Sequence, residues 1–220
     1  MADRRRVAIL ISGRGSNMRS IVEADTGLDI KAVISNRPDA GGLVWARGHG
    51  LHTDVVDHRK YASREAFDAD LSMLIADHAP DLVLLAGFMR ILSPAFIGRF
   101  HERILNIHPS LLPSFKGLDT HARALKEGVK IHGASVHVVV PEMDSGPLIT
   151  QAAVPVLDAD TPETLAARVL AAEHRIYPLA LKLLAEGRVR IVDGRCMIEG
   201  SAAEIDELLV VPNIRYSASR

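Results

Sequence analysis

The chain has 220 residues, of which 48% are hydrophobic and 24% are charged, a composition that is typical of globular proteins and excludes a disordered chain. Its formal net charge of −1 excludes a general attraction to nucleic acid or to an anionic membrane, so an anionic ligand must be held by a local site. This length suits one well-buried α/β domain and is short for two.

The cysteine content and the start of the chain indicate a compartment. Cys196 is the single cysteine, so it cannot form an intrachain disulfide, and a lone thiol favours a reducing cytoplasm. We interpret it as a residue of a late strand, because no histidine is close in sequence. The apolar run at residues 7–11 is too short for the core of a signal peptide, and no stretch approaches a membrane span. A cytoplasmic protein is therefore expected.

Strand-like and helix-like segments alternate through the first half of the chain. Continuous apolar runs predict strands at residues 7–11, 30–34 and 81–86, with a short strand at 53–56. Helices are predicted between them, at residues 17–24, 43–48 and 64–79. Ser63 suits the N-cap of the last helix, and Pro80 ends it. This alternation predicts an α/β fold with a mostly parallel twisted sheet and helices on both faces.

The second half has a different pattern. A short strand at residues 104–107 leads into a proline-containing loop, and longer strands are predicted at 134–140 and 148–156. Thr161 and Pro162 open a long helix that reaches about Glu186. Strands at 189–192 and 196–198 flank an Asp-Gly pair, a strong hairpin signal, so antiparallel elements are expected in the C-terminal part. The last dozen residues are expected to be loosely ordered.

A glycine-rich loop stands between the first strand and the first helix. Its residues are Gly13, Arg14, Gly15, Ser16 and Asn17. Glycines let the backbone approach a ligand closely, and the N–H groups at a helix start bind phosphate. The loop lacks the third glycine of a dinucleotide site and the lysine of a Walker motif, which favours a monophosphate. A tight structural turn, capped by Ser16 or Asn17, is the equally supported alternative.

Asn106, His108 and Asp144 are the sharpest candidates for chemistry. Asn106 and His108 lie at the end of a predicted strand, and alternation puts them on the same side of it, while Asp144 stands in a later glycine-flanked loop. An asparagine amide can donate to an oxygen that gains negative charge, and a histidine can move a proton in both directions near neutral pH. These residue types suit attack of a substrate amine on a carbonyl carbon. Capping side chains and an ordinary turn aspartate are the structural alternative.

The ten histidines raise the question of a metal site. His132 and His137 fall on or beside one strand, but neither a His-Glu-x-x-His motif nor a cysteine pair accompanies them. Most of the others are interpreted as surface or partly buried residues, among them His49, His52, His58 and His78. No metal is expected.

Four sequence motifs occur along the chain in the order found in a known enzyme family. They are residues 13–17 (Gly-Arg-Gly-Ser-Asn), 85–92 (Leu-Ala-Gly-Phe-Met-Arg-Ile-Leu), 106–113 (Asn-Ile-His-Pro-Ser-Leu-Leu-Pro) and 143–147 (Met-Asp-Ser-Gly-Pro). Together they resemble the phosphoribosylglycinamide formyltransferase family of folate-dependent enzymes. The third segment is shared across folate formyl-transferring enzymes, so it is specific for the chemistry. The glycine loop and the short chain narrow the acceptor to glycinamide ribonucleotide.

The resemblance implies a Rossmann-like formyltransferase fold and transfer of a formyl group from 10-formyltetrahydrofolate to the amine of glycinamide ribonucleotide, a step in purine biosynthesis. It implies that Asn106 and His108 stabilise the oxyanion and that Asp144 tunes His108. The substrate phosphate is expected on Gly15, Ser16 and Asn17, and the glycyl end near Glu173. Folate is expected in a cleft lined by Arg64, Met89, Arg90, Ile91, Leu92, Asn106 and Val140.

The resemblance also implies an organisation and a set of partners. Residues 1–220 are expected to form a single formyltransferase domain, with a phosphate-binding half at 1–100, a folate-binding and catalytic half at 101–200, and a tail at 201–220. Its partners are expected to be the two small molecules, without nucleic acid or membrane, and the oligomeric state is open between a monomer and a homodimer. Arg14 and Asp119 depart from residues that some relatives carry, so contacts there are uncertain.

Three other functions are weighed against this one. A formyltetrahydrofolate deformylase, in which water replaces the amine, would carry an additional N-terminal domain, for which the strand at residue 7 leaves no room. A methionyl-tRNA formyltransferase would want a C-terminal RNA-binding domain and a basic balance. A folate- or nucleotide-binding module without activity is disfavoured because Asn106, His108 and Asp144 are all present.

Overall fold

The computed structural model describes residues 4–200, and the predicted loosely ordered end of the chain lies outside them. The first-half strands are β1 (Arg6–Ile11), β2 (Asp29–Ser35), β3 (Thr53–Val55), β4 (Leu82–Leu85) and β5 (Ile104–His108). They pair in parallel in the order β3-β2-β1-β4-β5. Strand order therefore reverses at β1, whose neighbours are β2 and β4. Ligands of such sheets bind at the carboxyl ends of the strands beside this point.

The antiparallel part of the sheet follows β5. Strands β6 (Ile131–Val138) and β7 (Leu148–Pro155) extend the sheet to seven strands, each antiparallel to its predecessor. A separate hairpin of β8 (Val189–Val192) and β9 (Arg195–Ile198) turns at Asp193 and Gly194, which both have positive φ. The predicted mostly parallel sheet with antiparallel C-terminal elements is thus confirmed.

Helices cover both faces of the sheet, as predicted. They are α1 (Ser16–Glu23), α2 (Gly41–Gly48), α3 (Arg64–Asp77), α4 (Pro94–Arg99), α5 (Thr120–Glu127) and α6 (Pro162–Ala185). Val7, Ile9 and Ile11 of β1 pack in one core cluster that includes α1 and α6 residues. Ala8 and Leu10 of the same strand point the other way, into a cluster with α3 and α4 residues. No helix within residues 4–200 combines the length and apolar character that a membrane span needs.

The sequence patterns missed two helices. Helix α4 is a short turn of helix opened by Ser93, whose Oγ accepts from Phe96 N, and by Pro94. Helix α5 follows Asp119, which has a φ of 55° and makes no side-chain cap. Only Thr120 and Ala124 of α5 are buried, so the apolar repeat that would signal a helix is weak. Elsewhere the predicted bounds differ by at most three residues, as expected where helix and strand ends fray.

Candidate active site

A cleft of about 350 Å³ opens at the carboxyl ends of β1 and β4, where strand order reverses. Its walls are the loop at residues 12–17 and segments that follow β2 and β4. Gly15 has a φ of 72° and is the N-cap of α1, a left-handed conformation that glycine adopts without strain. The first N–H groups of α1, from Ser16 onward, have no partner within the helix. The cleft therefore offers backbone donors and a helix N-terminus to an anion.

The charges around this cleft also suit an anion. Among the described residues that line it are Arg14, Arg37 and Arg90, and no carboxylate. Arg37 is engaged at the surface by Asp39, 3.0 Å away. The Arg90 guanidinium stacks over the Phe67 ring at 4.8 Å, and its Nε is buried without a hydrogen-bond partner. Packing on Phe67 thus holds Arg90 at the cleft, and an ion pair with Asp39 holds Arg37 there.

Gly42, a residue that sequence reasoning did not single out, packs against the glycine-rich loop at residues 13–17. Its N–H donates to the Gly13 carbonyl at 3.0 Å, which brings the start of α2 against the loop. A Cβ atom at this position would lie 3.2 Å from the Gly13 oxygen and 3.2 Å from the Gly15 Cα. The sequence shows the pair Gly41-Gly42 at a helix start, but only the packing shows that Gly42 is the one that contacts the loop.

Asn17 and Glu173 meet although they are far apart in sequence. The Asn17 Nδ2 donates to the Glu173 Oε2 at 2.7 Å, and both side chains are buried. Burial raises the pKa of Glu173, and the hydrogen bond from Asn17 opposes that shift. The side chain of Asn17 therefore ties the loop to α6, while its backbone N–H stays at the helix start. The Asn17 Oδ1 is buried and without a partner.

A chain of side-chain contacts joins the proposed catalytic residues. The Asn106 Nδ2 lies 3.2 Å from the His137 Nε2. The His137 Nε2 lies 3.8 Å from one oxygen of Asp144, whose other oxygen lies 3.5 Å from the His108 Nδ1. The structure thus brings together the three residues that sequence analysis grouped, and adds His137 between them.

His137 stands opposite Asn106 because β5 and β6 pair with that register. Its Nδ1 lies 3.0 Å from the Val138 carbonyl oxygen, to which it can only donate, so Nε2 is free to accept from the Asn106 amide. Burial lowers the pKa of His137, which keeps it in this neutral form. Its position beside Asn106 depends on strand pairing, which is why its spacing in the sequence gave no signal.

His108 is buried between two acceptors. Its Nε2 lies 2.9 Å from the Phe115 carbonyl oxygen, and its Nδ1 faces the Asp144 carboxylate. Each ring nitrogen therefore faces a hydrogen-bond acceptor. The 3.5 Å contact to Asp144 is long for a hydrogen bond, so Nδ1 is less firmly engaged than Nε2.

The loop after β6 holds Asp144 in place. Asp144 has a φ of 49°, uncommon for a residue with a side chain, and one carboxylate oxygen accepts from Gly117 N at 2.8 Å. Two residues on, a Cβ at Gly146 would lie 1.8 Å from the Val138 carbonyl oxygen. The backbone of this loop therefore requires Gly146 and orients the carboxylate toward the two histidines.

The residues expected at folate differ in their exposure to solvent. Met89 and Ile91 are 73% and 65% exposed, although both are large and apolar, whereas Leu92 is buried. The N–H of Met89 donates to the Ser12 Oγ at 2.8 Å, which anchors this segment to the end of β1. Arg64 is exposed at the start of α3 beside Glu65, and Val140 follows β6 and is half-buried. Two large apolar side chains of this segment are thus left exposed to solvent.

The two parts of the site lie side by side along one sheet edge. Of the described residues that line the cleft, none is Asn106, His108 or Asp144. They belong to β5 and to the loop after β6, next to the end of β4, where Leu85 pairs with Asn106. Met89 and Arg90, which follow β4, line the cleft and also belong to the expected folate segment.

Comparisons with known proteins agree with this geometry. The formyl transferase family model matches residues 5–181. The phosphoribosylglycinamide formyltransferase of Escherichia coli is 47% identical over 198 residues, which cover 88% of this chain and 93% of that protein. The structure of glycinamide ribonucleotide transformylase 1 from Symbiobacterium toebii superposes with a TM-score of 0.87 at 46% identity, over 90% of this chain and 95% of that one.

A deformylase is also similar, at a lower identity. The formyltetrahydrofolate deformylase of Pseudomonas syringae has a TM-score of 0.83 at 29% identity, over 90% of this chain but 66% of that one. The family match covers most of the chain, and the sheet, the glycine loop and the buried histidine–carboxylate contact are all present. The chain belongs to the formyl transferase family.

Proposed function

We propose that this chain transfers the formyl group of 10-formyltetrahydrofolate to the amine of glycinamide ribonucleotide. The observation that carries the proposal is the buried contact between His108 and Asp144, next to Asn106 and beside a cleft suited to a phosphate. The names of the relatives, phosphoribosylglycinamide formyltransferase and glycinamide ribonucleotide transformylase, support the same reaction.

The proposed reaction uses the substrate's own amine as the nucleophile. The amine attacks the formyl carbon, and the formyl oxygen gains negative charge as the tetrahedral intermediate forms. Asn106 has a second amide N–H beyond the one that faces His137, and this N–H donates to the oxyanion together with the His108 Nδ1–H. Donors aimed at the developing charge typically contribute about 3 kcal/mol each.

Proton transfer completes the exchange. The amine loses a proton to Asp144 through water, and the folate nitrogen accepts a proton as the carbon–nitrogen bond to it breaks. His108 can deliver that proton and recover it from Asp144, since Asp144 and the Phe115 carbonyl hold the ring in position. No enzyme nucleophile is required.

The acceptor is proposed to bind across the two parts of the site. Its phosphate lies on the backbone of Gly15, Ser16 and Asn17, at the start of α1. Its glycyl end approaches Glu173, which Asn17 already holds. Folate is proposed to contact Arg64, Met89, Arg90, Ile91, Leu92, Asn106 and Val140. We further propose one cytoplasmic domain over residues 1–220, without a catalytic metal.

An assay with both substrates tests this proposal and separates the transferase from the deformylase. The protein is mixed with 10-formyltetrahydrofolate, with and without glycinamide ribonucleotide, and both products are quantified by absorbance and mass spectrometry. We expect formylated ribonucleotide and released folate in equal amounts, and little folate release without the acceptor. Equal folate release with and without the acceptor would contradict the proposal and support hydrolysis.

A further inference from the structure

A cluster of His52, Asp54 and His78 lies at the edge strand β3, away from the cleft. The Asp54 Oδ2 lies 3.0 Å from the His52 Nε2 and 2.8 Å from the His78 Nε2. The ligand-type atoms of the three residues all lie within 4.8 Å of one another. Within residues 4–200, no other group of three histidine, cysteine or carboxylate residues meets that spacing.

Strand geometry explains how three residues from two elements meet here. His52 and Asp54 are two positions apart along an extended segment, so their side chains lie on the same face. Asp54 pairs in register with Ile34 of β2, whose side chain packs in the core cluster beneath α3. His78 is the C-cap of α3. Asp54 therefore lies on the face of the sheet that α3 covers, next to His78 at the end of that helix.

The backbones of the three residues are already held in place. The carbonyl of His52 accepts from Val33 N at 2.9 Å, and Asp54 lies within β3. The His78 N–H donates to the Ile75 carbonyl at 3.2 Å. Thr53, between the two strand residues, points to the other face, where its hydroxyl accepts from the Arg47 Nε. No lysine or arginine in the described part of the chain forms an ion pair with Asp54.

The geometry points to a binding site for a divalent transition-metal ion, which we propose to be of the zinc type. Two imidazole nitrogens and one carboxylate oxygen are a donor set that zinc prefers. Ligand bonds of about 2.0 Å in a tetrahedron place ligand atoms about 3.3 Å apart. The two histidine–carboxylate separations, 3.0 and 2.8 Å, are close to this value, and the two histidine nitrogens lie within 4.8 Å of each other. His52 is largely exposed, so its side chain can adjust and water can take the fourth position.

The site is structural rather than catalytic by its location. His52 and Asp54 lie at the start of β3, whereas the cleft and His108 lie at the carboxyl ends of β1, β4 and β5. A bound ion would join the short edge strand β3 to the end of α3. Because it binds the folded chain in preference to the unfolded one, it would raise the thermal midpoint of unfolding.

Zinc titration of the full chain tests this proposal. After chelator treatment and dialysis, the protein is titrated with zinc chloride in a calorimeter, and with cobalt chloride while the visible absorbance is followed. We expect one ion per chain with micromolar affinity, and an intense tetrahedral cobalt band. His52→Ala and His78→Ala should each weaken zinc binding at least tenfold. The control is His101→Ala, since His101 is an exposed histidine outside the cluster.

Three outcomes overturn the proposal. One is the lack of saturable binding at millimolar zinc in a protein that unfolds cooperatively. Another is unchanged affinity in the His52→Ala/His78→Ala double variant. The third is a loss of zinc binding in the His108→Ala variant without any loss in the His78→Ala variant, which would place the ion on His108, His137 and Asp144 instead. Thermal unfolding of each variant without metal checks that the fold is kept, and a zinc-dependent rise in the midpoint that His78→Ala removes supports the proposal.

Discussion

At the scale of the residue, His108 is held between two hydrogen-bond acceptors. Its two ring nitrogens face a carbonyl and a carboxylate, and both acceptors come from loops rather than from the strand that carries the ring. His137 orients the Asn106 amide from the neighbouring strand. His108 and His137 are buried and their partners are partly buried, and charge-assisted hydrogen bonds are stronger where water is excluded.

His108→Ala and Asp144→Asn should each reduce the turnover number by about two orders of magnitude or more, because general acid–base transfer and oxyanion stabilisation contribute factors of this size. Steady-state kinetics with both substrates provides the measurement. His101→Ala, an exposed histidine, serves as the control with unchanged turnover. Near-normal rates in both active-site variants would remove His108 and Asp144 from the mechanism.

At the scale of the element, loops and helix ends are shaped by close packing. The glycine-rich loop packs against the first residues of α2, and the Asp144 loop packs against β6 through Gly146. In the same way β6 carries His132 beneath α5, where it packs edge-on against His121 and Phe115. Each contact couples a site loop to a rigid element of the sheet.

Gly42→Ala should weaken binding of the ribonucleotide, because its Cβ would displace the end of the Ile11 side chain and press on Gly13 and Gly15, which shifts the glycine-rich loop by a few tenths of an ångström. We expect the Michaelis constant for glycinamide ribonucleotide to rise about tenfold, as a misplaced site loses roughly 1.4 kcal/mol of binding, while that for folate changes little. Gly41→Ala is the matched control, since nothing lies within 4 Å of its added Cβ. An equal effect of both substitutions would refute this account.

The buried His132 should make stability depend on pH. Burial, with His121 nearby, lowers the pKa of His132 to about 4, and both of its ring nitrogens lack hydrogen-bond partners. The unfolded chain takes up a proton near pH 6.5 and the folded chain does not, so stability falls as pH drops from about 6.5 toward 4. The loss amounts to at most about 3 kcal/mol, since each pKa unit corresponds to 1.36 kcal/mol.

Urea unfolding at pH 7.5 and pH 5.0 measures this dependence. His132→Phe removes the titrating group but keeps an aromatic ring, so the variant should lose less stability between the two pH values than the parent does. A variant with the same pH dependence as the parent would assign the effect to other groups, such as His137, whose pKa is also lowered by burial.

At the scale of the whole molecule, α6 joins the two halves of the sheet. Tyr177 of α6 is fully buried, and its hydroxyl lies 3.2 Å from the carbonyl oxygens of Leu85 and Leu105. These carbonyls belong to β4, whose end borders the cleft, and to β5, which carries Asn106 and His108. The same helix carries Glu173, which contacts Asn17 of the glycine-rich loop. One helix thus contacts both the glycine-rich loop and the strand that carries Asn106 and His108.

Tyr177→Phe should lower the free energy of unfolding by about 1 kcal/mol, the net value of one buried hydrogen bond, and leave the core volume almost unchanged. Denaturant titration gives this value. Tyr61→Phe is the control, because the Tyr61 hydroxyl binds Asp70 at the surface. An equal loss of stability in both variants would show that the buried hydrogen bond from Tyr177 to β4 and β5 contributes no more than a surface hydrogen bond.

Much of this architecture could be predicted from local pattern. Continuous β-branched runs identified the buried strands, Thr161-Pro162 identified the start of α6, and Asp193-Gly194 identified the hairpin. The short helices α4 and α5 were missed because their apolar repeat is too weak to outweigh the prolines and polar residues around them. Boundaries shifted because end residues are decided by tertiary contacts.

The sequence by itself determined the chemistry that this protein offers: a phosphate-type loop at a helix start, and an asparagine and a histidine on one side of a strand end. Those properties are local, so periodicity and residue type suffice to predict them. Only the tertiary structure decided that Asp144 reaches His108, that His137 joins them, and that Gly42 shapes the loop. It also decided that His52, Asp54 and His78 meet. These contacts depend on strand register and on the order of strands in the sheet, which no local pattern contains.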